Sequence, residues 1–111
     1  MRYVILLYGD EAAEAALTPD ERRGIIDAHL AFSRRARERG IELSGEALEP
    51  STLAITIRGG NVTDGPFAET KEQLGGYYVV DMPDRAAVIE LAREIPESPG
   101  LTIEIRPLSD I

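Results

Sequence analysis

The sequence predicts an α+β domain in which an antiparallel sheet carries two helices on one face, and three observations predict it. Apolar runs and helical stretches alternate as strand, helix, strand, then a small hairpin, then strand, helix, strand. Thr18-Pro19-Asp20-Glu21 has the residues of a capping box with proline at the first helical position, so a long helix begins there. Arg2–Tyr8 and Gly76–Asp81 are apolar on both faces, although only two helices exist to cover them. The uncovered face needs a lid, and a second copy of the sheet is the economical one, which makes the expected state a homodimer.

Taken in order, Arg2–Tyr8 is a central strand closed by Gly9-Asp10. The alanine-rich stretch Glu11–Leu17 has the composition of a short helical turn. The first long helix then runs from its Thr18 cap to about Arg39 and stops at Gly40, with Ile25, Ile26, Phe32 and Ala36 at helical spacing. Arg34, Arg35, Arg37 and Arg39 occupy its last turns, where the dipole favours cations. Ile41–Leu48 is a strand with a bulge expected at Gly45, ended by Glu49-Pro50-Ser51. Leu53–Arg58 alternates, placing Leu53, Ile55 and Ile57 on one face, and Gly59-Gly60-Asn61 turns the chain into a short return strand, Asn61–Thr63. After a polar loop comes the strand Gly76–Asp81. A second helix, Asp84–Ile95, carries the stripe Ala87, Val88, Leu91, Ala92 and Ile95. Pro96 and Pro99-Gly100 end it, and Leu101–Arg106 alternates as a last strand.

Composition narrows the function classes. At 111 residues the chain is read as one domain, 1–111, able to bury about two-thirds of the surface its unfolded form exposes. It has no cysteine, hence no disulfide, thiolate nucleophile or thiolate metal ligand, which suits a reducing cytoplasm. Twelve Lys and Arg against twenty Asp and Glu leave a net charge of −8, which opposes a nucleic-acid partner. The N-terminal apolar run is only about six residues long, too short for a signal peptide, and nothing approaches the roughly 20 apolar residues of a membrane span. Gly59-Gly60 and Gly75-Gly76 lack the residues that make a phosphate loop, and one histidine among scattered carboxylates makes no transition-metal site, so neither metal nor cofactor is expected.

The most constrained stretch runs from Val62 to Asp81. Asp64-Gly65-Pro66 combines a side chain that bonds forward to backbone amides, a residue free to take positive φ and one with φ fixed near −65°. Glu69, Lys71 and Glu72 follow, and Gly75-Gly76 releases the chain into the apolar strand. Asp64-Gly65-Pro66-Phe67, continuing through Ala68-Glu69-Thr70-Lys71-Glu72-Gln73-Leu74-Gly75-Gly76-Tyr77, resembles the signature of the YCII-related proteins, in particular the branch called the DGPF-domain family. Tyr8-Gly9-Asp10-Glu11, His29 and Gly45-Glu46-Ala47-Leu48 are similar to residues of that family at comparable places, so the resemblance spans the chain. It implies a dimeric α/β barrel of ferredoxin-like topology, from a family whose members mostly lack an assigned reaction.

His29 is the sole histidine and lies on the inward stripe of the first long helix. One reading is a core-facing ring satisfied by a backbone carbonyl. The other is a general acid or base, because imidazole titrates near neutrality. The resemblance implies that a histidine and an aspartate meet in the barrel cleft, which makes His29 and Asp64 the candidate catalytic pair. Asp64 also has a plain role as a turn-maker. Tyr8, at the end of the central strand, Glu72, in a loop expected to be anchored by Pro66 and Gly75, and Phe67 of the signature are the candidate substrate contacts. Tyr8 and Glu72 have equally plain readings, as packing and as solvated surface. Tyr77 and Tyr78 point to opposite faces of their strand. Ser33, one helical turn after His29, has no accompanying oxyanion hole.

Two functions compete on this reading. The first is a cofactor-independent lyase or isomerase acting on a small oxygenated molecule, with His29 moving a proton and Asp64 orienting it. The second is a non-catalytic module that binds a small ligand or a protein; the resemblance extends this to a link with sigma-factor regulation.

Overall fold

The computed structural model describes Met1–Asp110. The elements are β1 (Arg2–Asp10), α1 (Glu11–Ala15), α2 (Pro19–Glu38), β2 (Leu43–Ala47), a 3-10 turn (Ser51–Leu53), β3 (Ile55–Arg58), β4 (Asn61–Asp64), β5 (Glu72–Asp81), α3 (Arg85–Ala92) and β6 (Thr102–Pro107). Four strands form one antiparallel sheet in the order β2-β5-β1-β6, the ferredoxin-like order, and β3 and β4 form a separate two-stranded ribbon.

The helices start where the sequence places them. The Thr18 hydroxyl accepts from the Glu21 N–H (3.1 Å) and the Glu21 carboxylate accepts from the Thr18 N–H (2.9 Å), a complete capping box. Asp84 caps α3 by accepting from the Ala87 N–H (2.9 Å), and Asp10 caps α1 by accepting from the Ala13 N–H (3.2 Å). Phe32 and Ala36 of α2 and Val88, Leu91 and Ala92 of α3 pack onto Tyr3, Ile5, Leu43 and Val80 of the sheet, and these residues are the core. Burial of such side chains is worth about 1.5–3 kcal/mol each before conformational entropy is subtracted. On α2 the inward stripe is Ile25, His29, Phe32 and Ala36, while Ile26 lies one residue round the helix and is exposed.

Register separates the two sheet faces. Tyr3, Ile5 and Leu7 pair with Val80, Tyr78 and Gly76 on one side and with Pro107, Ile105 and Ile103 on the other, all on the helix-covered face. Val4, Leu6 and Tyr8, with Tyr77 and Val79, lie on the opposite face, which no helix covers, and all five are half-buried. The molecule is accordingly a disc, 42 × 42 × 17 Å, with a radius of gyration of 15.3 Å against the roughly 13 Å expected of a compact chain this long. The thin dimension is two layers, and the projecting β3–β4 ribbon contributes to the breadth.

Three local expectations are corrected. Gly45 pairs in regular register with Tyr78, and its strand has no bulge. It is glycine because a Cβ would fall 2.7 Å from Tyr78 Cδ1 and against the Tyr77 carbonyl. The register shift lies instead between Leu7 and Tyr8, where β5 skips Gly75. Glu72 is not in the loop: Glu72, Gln73 and Leu74 pair with Asp10, Gly9 and Tyr8 and begin β5. The Asp64 side chain does not make the signature turn by bonding forward, since it has no hydrogen bond among the described residues. Backbone bonds take that role, with the Gly65 N–H on the Ala54 carbonyl (2.6 Å), Gly65 at φ +96°, and the Thr56 hydroxyl on the Gly65 carbonyl (2.8 Å).

Candidate functional site

At one end of the open sheet face, where β1 finishes and β5 and β6 begin, lies a solvent-open hollow of about 600 Å³. Tyr8, Thr70, Lys71, Glu72, Thr102 and Glu104 line it. The Tyr8 hydroxyl donates to Glu104 Oε1 at 3.2 Å, and Arg106 Nε donates to the other carboxylate oxygen at 3.0 Å. Partial desolvation, and then the Glu104 carboxylate that accepts its hydrogen bond, hold the Tyr8 pKa above 10.0. Tyr8 is therefore a protonated donor throughout the neutral range. Lys71 Nζ lies 3.7 Å from Asp10 Oδ2, and Gln73 donates to the carbonyls of Ala68 (3.0 Å) and Thr70 (3.1 Å), shaping the loop that forms the rim. Two hydroxyls, a phenol, an ammonium and two carboxylates provide donors and acceptors at the end of an apolar surface, the mixture that orients a small polar molecule.

His29 lies on the other side of the sheet. Its Nδ1 is 2.7 Å from the Tyr78 hydroxyl, the rings lie at 22° to each other, and Tyr78 in turn leans on Phe32 with ring centroids 5.3 Å apart. Burial lowers the His29 pKa below 6.5 and raises that of Tyr78 above 10.0, the latter offset by a hydrogen bond from Ser33 and by the Arg37 charge. At neutral pH the pair is uncharged. The phenol and the neutral ring share one hydrogen bond, whose donor is set by the imidazole tautomer.

The structure thus divides the candidate residues among three places. Tyr8 and Glu72 share the hollow. His29 is held by Tyr78 on the helix-covered face. Asp64 ends β4 on the ribbon, exposed, and its side chain bonds neither His29 nor any other group among the described residues. Phe67 is 78% exposed, in the loop between ribbon and sheet, and does not line the hollow. Sequence reasoning missed Glu104 and Thr102 as neighbours of Tyr8. Alternation in the last strand puts both on one face, but only the pairing of β6 with β1 brings that face to Tyr8. Tyr78 was legible as facing away from Tyr77, without its imidazole partner.

The ribbon is rooted at the same end as the hollow. Glu11 accepts from the Ser51 N–H (2.7 Å) with one carboxylate oxygen and from the Ser51 hydroxyl with the other, tying the 3-10 turn to the end of β1. Among the described residues no group of three or more His, Cys, Asp or Glu side chains is arranged to hold a metal ion, and no helix is long and apolar enough to cross a membrane.

Fold and site together define a small α+β domain of ferredoxin-like topology with a polar hollow on its uncovered sheet face. The model of the YCII-related domain matches residues 1–111, and the chain belongs to that family. It is also similar to an uncharacterized protein of Rhizobium meliloti (strain 1021), 35% identical over 115 residues that cover 98% of this chain and 93% of the relative.

Proposed function

We propose that this protein binds a small oxygenated molecule in the Tyr8–Glu104 hollow, and that it does so as a homodimer whose two open sheet faces enclose the site. The observation that carries the reading is the pairing of a convergent polar cluster with the apolar central strands of an uncovered sheet face, Val4, Leu6, Tyr77 and Val79. Two supports follow from size. A standard interface takes about 800 Å² from each partner, and a face 42 Å across can supply it. A hollow left open to solvent on one protomer excludes water only when a second layer closes it.

The test is a thermal-shift screen of small hydroxylated and carboxylated compounds against the wild type, followed by Tyr8→Phe and Glu104→Gln. Removing the phenolic donor should weaken a hit by about fivefold, the worth of one hydrogen bond near 1 kcal/mol. Hits that bind both variants as tightly as wild type would overturn the assignment.

A second reading is favoured by the electrostatics of His29. A neutral imidazole, held at Nδ1 by a phenol, is poised as a proton carrier through its other nitrogen. In that reading the domain is an acid–base enzyme in which His29 moves the proton. Turnover surviving unchanged in His29→Ala would end it.

A further inference from the structure

The β3–β4 ribbon is amphipathic across its own two strands. Residues directly opposite each other in an antiparallel pair share a face, and the register is Ile55↔Asp64, Thr56↔Thr63, Ile57↔Val62 and Arg58↔Asn61. One face is therefore Ile55, Ile57 and Val62, with Asp64 at its base, and the other is Thr56, Thr63, Arg58 and Asn61. Gly59 and Gly60, at φ +55° and +81°, make the two-residue turn that locks this register. The apolar face has no cover among the described residues: Ile55, Ile57 and Val62 are 68%, 69% and 64% exposed. An isolated two-stranded hairpin is marginal in water, and three large apolar side chains on one face of one are a surface made to be buried.

We infer that the Ile55–Ile57–Val62 face of the ribbon packs on a second copy of this chain, so that each arm clasps the partner and carries its own Asp64 into the shared interface. The inference rests on the proposed homodimer and adds to it the clasp that holds the two copies together. Three features select a second copy over another protein. The ribbon is rooted at the end of the sheet that holds the hollow, so the proposed pairing of open faces brings a partner to the arm's own end of the molecule. A two-fold axis uses the same arm twice, burying both exposed apolar faces in one interface. Asp64 is the only charged residue on that face, so nothing on it would steer a strongly charged partner. Asp64 is exposed and its side chain has no bond among the described residues, as expected of a group whose surroundings come from elsewhere.

The full-length protein provides the test through sedimentation equilibrium of the wild type, Ile57→Asp, Val62→Asp and the opposite-face control Thr63→Asp. Because positions 57 and 62 are exposed within the protomer, the substitutions leave its fold intact, and far-UV circular dichroism checks this. The expected result is a wild-type dimer of twice 12.1 kDa and a dissociation constant raised at least about tenfold by either apolar-face change, with the control unaffected. In the wild-type dimer, the Ile55 and Ile57 methyls should also be shielded from a soluble paramagnetic probe. A wild-type dimer that Ile57→Asp and Val62→Asp leave intact, with those methyls open to the probe, would overturn the clasp while the pairing of open faces stands. A wild-type monomer at 100-micromolar order would overturn both, and its exposed arm would then point to a different protein as occupant.

Discussion

The Tyr78 hydroxyl and His29 Nδ1, 2.7 Å apart, form a polar contact in the layer that holds Phe32, Ile5 and Val80. Burial at this place, not the hydrogen bond, sets the charge state of the protein's one imidazole. Burial disfavours imidazolium, so the folded protein holds His29 below 6.5 while the unfolded chain titrates at the ordinary value. Between the lowered native pKa and 6.5 the unfolded state binds more protons, so stability increases with pH there. The contribution is whole above pH 6.5 and is lost as pH falls through the native pKa. Urea titrations of wild type and His29→Gln should therefore diverge in slope across that window, the wild type losing stability as pH falls and the variant lacking that component. Nitrogen NMR shifts should report a neutral imidazole at pH 7.

Gly45 and Tyr78 stand opposite each other in β2 and β5, and the phenol ring lies over the glycine. Adding a methyl at position 45 drives the ring and the Tyr77 carbonyl apart. Gly45→Ala should cost about 1–3 kcal/mol, the usual penalty for overpacking, measured as a lower urea midpoint with an unchanged m-value. The His29 resonances should move with it, because the ring being displaced carries the hydroxyl that holds the imidazole.

Much of this architecture was legible in the chain. Thr18 and Glu21 announced α2, the alternation of Tyr77 and Tyr78 gave the two faces of β5, and Gly59-Gly60 marked the ribbon's turn. Each of these depends on residues close in sequence. The site was harder because it depends on strand order: Tyr8 meets Glu104 across 96 positions, and no local pattern encodes that contact. Glu72 was misread as loop for a related reason. Polar residues at the start of β5 pair with Asp10 and Gly9 at the end of β1, so tertiary pairing overrides a composition typical of loops. The expectation at Gly45 failed because a glycine inside a strand has two uses, a bulge or a close approach, and the neighbouring tyrosine ring selects the second.

Glu11 joins the end of β1 to the root of the ribbon through both hydrogen bonds to Ser51. Hydrogen bonds to a charged group carry about 1.5–3 kcal/mol, less where water competes. Glu11→Ala should lower stability by about 1–2 kcal/mol. Its distinguishing mark should be faster amide exchange through the 3-10 turn and β3, with exchange in the centre of β1 unchanged.

The placement of function on the open sheet face, rather than under the helices, is tested most directly by mapping a bound hit from the compound screen through backbone amide shifts. The account predicts the largest changes at Tyr8, Thr70, Lys71, Glu72, Thr102 and Glu104, with His29, Ser33 and Tyr78 unmoved. Changes centred on His29, Ser33 and Tyr78, with the hollow silent, would contradict it.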